Sequence, residues 1–257
     1  MTTLITHDAA APQTAVHAFT VRALLLGFEG TLSARSHRAR VLLPYATTHL
    51  PRYVERHAEE SAVRQALAYA AVMARTPDVD PVDTLLAWLA EGRTAPPLKK
   101  LQTLVWSEGY ASGDLRGHIF ADALRALRQW RAAGLPRIVY SSGSVQAQMQ
   151  HIRHSEAGDL CALFDRHFDT AVGTKADAAS YARIAATVAI EPAGLLFLSD
   201  NPLELSAARA AGLQVVQVLR EGNVADGRFV AIRDFGEIAV VKDGAVVGAR
   251  LAAEHRS

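Results

Sequence analysis

Val21-Arg22-Ala23-Leu24-Leu25-Leu26-Gly27-Phe28-Glu29-Gly30-Thr31 is the stretch from which the rest of this chain can be read. Val21 to Leu26 is an apolar run of strand length that stops at a glycine, followed by a phenylalanine, an acid, a second glycine and a threonine. A short apolar run ending in turn residues reads as a buried strand of a parallel sheet, with polar groups delivered at its carboxyl end.

The same rhythm recurs further along. A helix from Asp122 to Ala133 places Leu124, Leu127 and Trp130 on one face, and Gly134 leads into a strand from Arg137 to Tyr140. A strand from Phe168 to Val172 and a helix from Ala178 to Val188 follow, with Tyr181, Ile184, Ala185 and Val188 inward. Leu195–Leu198 is the next strand, Leu203–Ala211 a helix stopped by Gly212, and Gln214–Val218 the last strand. Strands alternating with helices predict an α/β fold, a Rossmann-like doubly wound parallel sheet with right-handed crossovers.

Between Ser33 and Gly117 the pattern changes to helix alone. Val63, Ala66, Leu67, Ala70 and Ala71 recur at helical spacing, as do Leu85, Leu86 and Leu89, then Leu98, Leu101, Leu104 and Val105. Pro77, Pro81, Pro96 and Pro97 punctuate this unit, and Thr76 or Asp80 is placed to cap the helix that begins near Pro81. The expected organisation is a disordered leader at 1–20, a core at 21–32 and 118–236, an inserted helical cap at 33–117, and a hairpin or tail at 237–257. Within that tail, Asp243-Gly244 between two β-prone runs signals a hairpin turn.

Composition narrows the function classes. Twenty-seven Lys and Arg against 26 Asp and Glu give a formal charge of +1, which predicts no nucleic-acid footprint, so any anion binding must be local. The single cysteine, Cys161, permits no internal disulfide and no thiolate zinc cluster, which fits a reducing cytoplasm. Met1 to Thr20 lacks the pattern of a secretory signal, and no apolar segment approaches the ~20 residues of a membrane span. The expected partner is a small metabolite rather than a membrane or nucleic acid, with a monomer favoured.

In a sheet of this kind reactive groups gather at the carboxyl ends of the strands. The first strand ends at Gly27 and Glu29, the second in Ser141-Ser142-Gly143-Ser144, Lys175 follows the third, and the fourth ends in Ser199-Asp200 with Glu204 a helical turn later. Each has an ordinary alternative, the serines as helix caps and Lys175 as a solvated lysine. Their joint order at four strand ends is hard to explain as surface chemistry.

Longer strings carry a resemblance. Leu43-Pro44-Tyr45-Ala46, Pro97-Leu98-Lys99-Lys100-Leu101-Gln102, Trp106-Ser107-Glu108-Gly109-Tyr110, Ser112-Gly113-Asp114-Leu115-Arg116-Gly117-His118, Val139-Tyr140-Ser141-Ser142-Gly143-Ser144 and His154-Ser155-Glu156-Ala157-Gly158-Asp159-Leu160 resemble the enolase-phosphatases of methionine salvage (acireductone synthases), within the haloacid dehalogenase-like superfamily. The likeness runs from about Val21 to Asn223. It implies a haloacid dehalogenase-like core with a helical cap, and magnesium-dependent enolisation and dephosphorylation of a phosphorylated diketone. It further implies Glu29 as acid-base residue, Ser141 and Ser142 as the phosphate pair, and Lys175 as the lysine that neutralises phosphate. Glu29 and Asp200 would hold Mg2+, with Glu204 supporting, and His118 would touch substrate.

Gly27 falls where that family has its nucleophilic aspartate. Glycine offers neither an attacking oxygen nor a metal-binding carboxylate, so the resemblance implies weakened Mg2+ binding and a closed aspartyl-phosphate route. Enolisation needs only a base and an electrophile, and is not closed. Leu32-Ser33-Ala34-Arg35-Ser36-His37-Arg38 also departs from the family, and reads either as a solvated loop or as added anion recognition. Three expectations stand: a diverged enzyme with hydrolysis impaired or lost and proton transfer retained, a catalytically dead protein that binds a phosphorylated metabolite or a protein partner, or an inactive form of an ordinary phosphatase.

Overall fold

The computed structural model describes residues 17–75 and 79–248. Ala23–Leu26 (β2) lies at the heart of a six-stranded sheet, with all four residues buried. Arg137–Tyr140 (β3) and Leu195–Ser199 (β5) pair with it on either side, in parallel register. Arg166–Phe168 (β4) lies outside β3, while Gln214–Val218 (β6) and Val230–Ile232 (β7) extend the other flank, giving the order β4-β3-β2-β5-β6-β7. The apolar runs of β2 and of β5, interrupted only by its terminal Ser199, are what a sheet covered on both faces requires.

Two hydrophobic layers cover it. On one face Leu24, Leu26, Leu127, Trp130, Val139, Leu196 and Leu198 form one core cluster. On the other, Leu25, Ile138, Tyr181, Ile184, Phe197 and Leu205 form a second. The covering helices are Ala121–Ala132 (α6), Val145–Arg153 (α7), Ala178–Thr187 (α8) and Pro202–Ala210 (α9). The chain leaves β2 for β3 on one side and β5 for β6 on the other, so their carboxyl ends flank the point where the winding reverses. Crevices form at such points.

The cap enters after β2 through a short turn, Arg35–His37 (α1), that runs into a π-helical segment, Arg38–Leu42. Leu43–Arg56 (α2), Ser61–Ala74 (α3), Pro81–Ala90 (α4) and Pro96–Ser112 (α5) follow. They enclose their own core of Leu50, Val63, Ala70, Leu85, Trp88, Leu98 and Leu101. Asp80 caps α4 by accepting from the Val82 amide at 2.7 Å; Thr76, the other cap candidate, lies outside the described residues.

Three expectations are corrected. His17–Thr20, assigned to a disordered leader, is a strand (β1) parallel to Ile238–Lys242 (β8); residues 1–16 lie outside the described part. The strand expected at Phe168–Val172 ends at Phe168, because the chain turns at Asp169, whose carboxylate accepts from the Ala171 amide and whose carbonyl accepts from the Val172 amide, while its other carboxylate oxygen accepts from the Val145 amide at the start of α7. Gln214–Val218 is not the last strand of the sheet, since β7 adds an edge of three residues, too short to leave a pattern.

The expected hairpin is present. β8 pairs antiparallel with Ala245–Val247 (β9), and Asp243 and Gly244 both take positive φ, 51° and 80°, as a two-residue primed turn demands. Ile238 and Val240 join the main core, so the hairpin packs on the domain. No helix among the described residues is long and apolar enough to cross a membrane.

Two buried polar features hold the domain together, the first within the core and the second between core and cap. Asp122 on α6 accepts from Arg220 at 2.7 Å and from the Phe235 amide at 3.0 Å, and the Arg220 guanidinium lies over the rings of Phe120 and Phe235. His151 on α7 is buried with its ring 3.0 Å from the Tyr110 hydroxyl of α5, against Phe28 and His37. Burial pushes His151 down to about 4 and also lowers His37.

These features generate two predictions. Removing one partner of a buried ion pair strands the other, so Asp122→Ala should lower unfolding free energy by about 3–5 kcal/mol in urea titrations. A histidine with a lowered folded pKa takes up its proton more readily in the unfolded chain, so stability falls as pH drops from the ordinary histidine value near 6.5 towards 4. His151 should contribute up to about 3 kcal/mol of that loss. Urea midpoints across this window should show it, and His151→Gln should flatten the dependence.

Candidate functional site

The carboxyl ends of β2, β3 and β5 open under the cap, where two adjoining cavities of about 310 and 350 Å³ share Glu29, Arg38, Ser141 and Ser142. Helix α5 closes one side, since the Lys99 ammonium donates to the Ser142 carbonyl at 2.9 Å and the Thr103 hydroxyl meets that of Ser144 at 3.3 Å. Trp106 donates to the Leu42 carbonyl at 2.8 Å, fixing the π-helical entry against α5.

Gly27 lies at the floor, with its amide donating to the Leu198 carbonyl at 2.8 Å. A Cβ at this position would lie 2.9 Å from the Thr31 hydroxyl oxygen, 3.2 Å from the Leu198 carbonyl and 3.5 Å from the Ser199 hydroxyl. The Thr31 hydroxyl in turn accepts from the Asp200 amide at 3.2 Å. The floor is therefore closed around a glycine, and a side chain would have to displace Thr31.

Glu29 is half-buried, and burial raises its carboxyl above the ordinary value against the lowering fields of Arg38, Lys175 and Arg35. Its carboxylate lies 3.3 Å from Arg38 Nε. Asp200, at 3% side-chain exposure, is engaged by Arg35 Nε at 2.5 Å and by the Asn223 side-chain amide at 3.2 Å. Hydrogen bonding to Asp200 raises the Arg35 guanidinium still further. Lys175, 14% exposed, meets Glu204 at 2.6 Å and stands over the rings of Tyr140 and Phe197. Glu204 also accepts from the Ser199 hydroxyl at 2.8 Å.

Of the residues singled out from sequence, Glu29, Ser141, Ser142, Lys175 and Glu204 line one cavity. Asp200 stands beside it, behind Arg35, on a neighbouring opening. The Ser141 hydroxyl is buried and accepts from the Gly143 amide at 3.1 Å, Ser142 is exposed, and Ser144 caps α7 by accepting from the Ala147 amide. The helix-cap reading thus applies to Ser144 and leaves Ser141 and Ser142 in the cleft. His118 is placed in the scaffold: its Nδ1 accepts from the Ala34 amide at 3.1 Å, and its ring stacks on His37 and meets the edge of Phe120.

The segment Leu32–Arg38 is no solvated loop, since its arginines hold two of the site's carboxylates. Sequence reasoning missed Glu221 and Asn223, which anchor that segment and Asp200 from a loop after β6; their isolated positions carry no motif. Lys99 appeared only inside a matching string.

The residues present do not fit the magnesium ion that the resemblance implies. A hard cation of this kind takes six oxygens, one or two of them from protein carboxylates with open lone pairs. Here each candidate carboxylate is engaged by a cation of the chain itself: Asp200 by Arg35, Glu29 by Arg38 and Glu204 by Lys175. Gly27 contributes no carboxylate, and among the described residues no three His, Cys, Asp or Glu side chains converge.

Comparison with known proteins places this geometry. A family model for haloacid dehalogenase-like hydrolases matches residues 21–212. The chain is 47% identical over 226 residues to Enolase-phosphatase E1 of Pseudomonas aeruginosa (strain UCBPP-PA14), covering 86% of this chain and 99% of that protein. It is 46% identical to Enolase-phosphatase E1 of Bradyrhizobium sp. (strain BTAi1 / ATCC BAA-1182), covering 84% and 93%. Among solved structures, the UTR4 protein of Saccharomyces cerevisiae superposes with a TM-score of 0.70 at 30% identity, over 84% of this chain and 99% of that one. The match to the family model across most of the chain, and relatives of this identity over nearly their whole length, establish that the chain belongs to the haloacid dehalogenase-like hydrolase family.

Proposed function

We propose that the cleft binds a phosphorylated diketone, or a related phosphate or phosphonate metabolite, and transfers a proton on it, with the covalent dephosphorylation route closed. One observation carries this reading: a half-buried carboxyl of raised pKa, Glu29, faces a cavity lined by Ser141, Ser142, Arg38 and Lys175, while the residue directly after β2, Gly27, carries no side chain. That relatives are named Enolase-phosphatase E1 supports a substrate that is both phosphorylated and enolisable.

Phosphate oxygens accept from the Ser141 and Ser142 hydroxyls and from the fork of Arg38, which suits a planar pair of anionic oxygens. Glu29 then removes a proton from the carbon beside the substrate carbonyl. The carbon–hydrogen pair becomes a carbon–carbon double bond, the carbonyl oxygen takes up negative charge, and the proton resides on the Glu29 carboxyl. Lys99, which lines the adjoining cavity, and Arg38 stabilise the oxyanion. A base of raised pKa suits this role, since it balances available base against driving force near neutral pH. Family-type phosphate transfer begins with carboxylate attack, for which Gly27 has no oxygen.

A second reading, a metabolite-binding protein without turnover, draws on the pairing of Glu29 and Asp200 with arginines, which mutes both carboxylates.

The discriminating experiment follows phosphate release and solvent deuterium uptake separately on a phosphorylated diketone. Deuterium uptake without phosphate release is expected, rising with pH as Glu29 loses its proton, which burial shifts upward from the ordinary carboxylate value. Glu29→Gln should reduce it by about 10²–10⁴-fold. Tight binding with neither signal would favour the second reading, and vigorous phosphate release by the unaltered chain would overturn the closed route. Gly27→Asp should cost about 1–3 kcal/mol of stability through its contact with Thr31, measured by urea titration.

A further inference from the structure

We propose that Arg35 is the resident cation of a metal-independent phosphate site, occupying Asp200 and offering its guanidinium to a phosphate monoester or to inorganic phosphate. The inference rests on the cleft being a phosphate site and adds how its positive charge is supplied.

The Arg35–Asp200 pair is built in from several directions. The Glu221 carboxylate accepts from the Arg35 amide at 2.7 Å and from the Ser36 amide at 3.1 Å, locking the turn that projects the side chain. The Asn223 amide group and the Asp200 backbone amide, the latter donating to Thr31, hold the acid from the other side. Beneath the pair lies Gly30, with φ at +78°; a Cβ there would overlap the Asp200 carboxylate and fall 2.6 Å from Arg35 Nε. The backbone approaches the ion pair so closely that only glycine fits.

The remaining charges follow the same plan. Arg38 lies on Glu29 and Lys175 on Glu204, so three carboxylates face three cations of the chain. A divalent ion entering here would have to evict a guanidinium or ammonium from each carboxylate it took, against the repulsion of these cations. A phosphate meets the opposite situation. The Arg35 side chain is 56% exposed, and with Arg38 and Lys175 it borders the cavity that carries Ser141 and Ser142. The guanidinium fork matches phosphate oxygens, and no cation need be recruited from solvent.

The test is calorimetric titration of the full chain with inorganic phosphate, in chelator and in excess magnesium, together with titration by magnesium alone. The unaltered protein should bind phosphate with the same affinity within about twofold in both conditions, and show no magnesium binding by itself. Arg35→Gln should weaken phosphate binding in chelator by about tenfold or more, and gain magnesium binding as Asp200 is released; Arg35→Lys should fall between. Phosphate binding that requires magnesium, or an unchanged affinity in Arg35→Gln, overturns the proposal while leaving the cleft a phosphate site. Failure to bind phosphate in either condition overturns both. The comparison on the unaltered chain stands even if a variant does not fold.

Discussion

The ion pair between Arg35 and Asp200 organises everything at the carboxyl edge of the sheet. It joins the turn that starts the cap to the end of β5, and three other groups converge on it: Glu221 and Asn223 from a loop after β6, and the nearby backbone of Gly30. A nearly buried carboxylate with a half-exposed guanidinium is more than a surface contact, because the acid has lost most of its hydration and depends on its partner. The entry angle of the cap, the reach of Arg38 to Glu29 and the outline of the cavity all follow from where this pair is held.

The fold was legible because its central strands are buried on both faces. Ala23–Leu26 and residues 195–198 are apolar throughout and buried on both faces, so their runs stand out, and the glycines and prolines between them mark the connections. Where burial is partial the signal fades. Val230–Ile232 is only partly covered, and His17–Thr20 alternates between intermediate and exposed residues at a position that composition alone assigns to a leader.

The site divides in the same way. Glu29, Ser141, Ser142, Lys175 and Glu204 could be gathered on paper because a parallel sheet brings successive strand ends to one edge whatever the details of packing. His118 could not be placed, since a histidine in a matching string looks the same whether it faces a ligand or props up a turn; here it holds the Ala34 amide. The engagement of Arg35 was also beyond reach. It depends on Glu221, which is remote in sequence and reaches the turn only because β6 lies two strands from β2.

The parallel pairing of β1 with β8 joins segments more than two hundred positions apart. Closing so long a loop costs chain entropy before its own contacts repay it. This clasp is therefore expected to zip up late on the folding route, after the sheet and cap have consolidated. Lys242, which follows in β8, donates to the Gly134 carbonyl just ahead of β3, at the amino end of the strands. The seam thus lies at the pole of the domain away from the cleft.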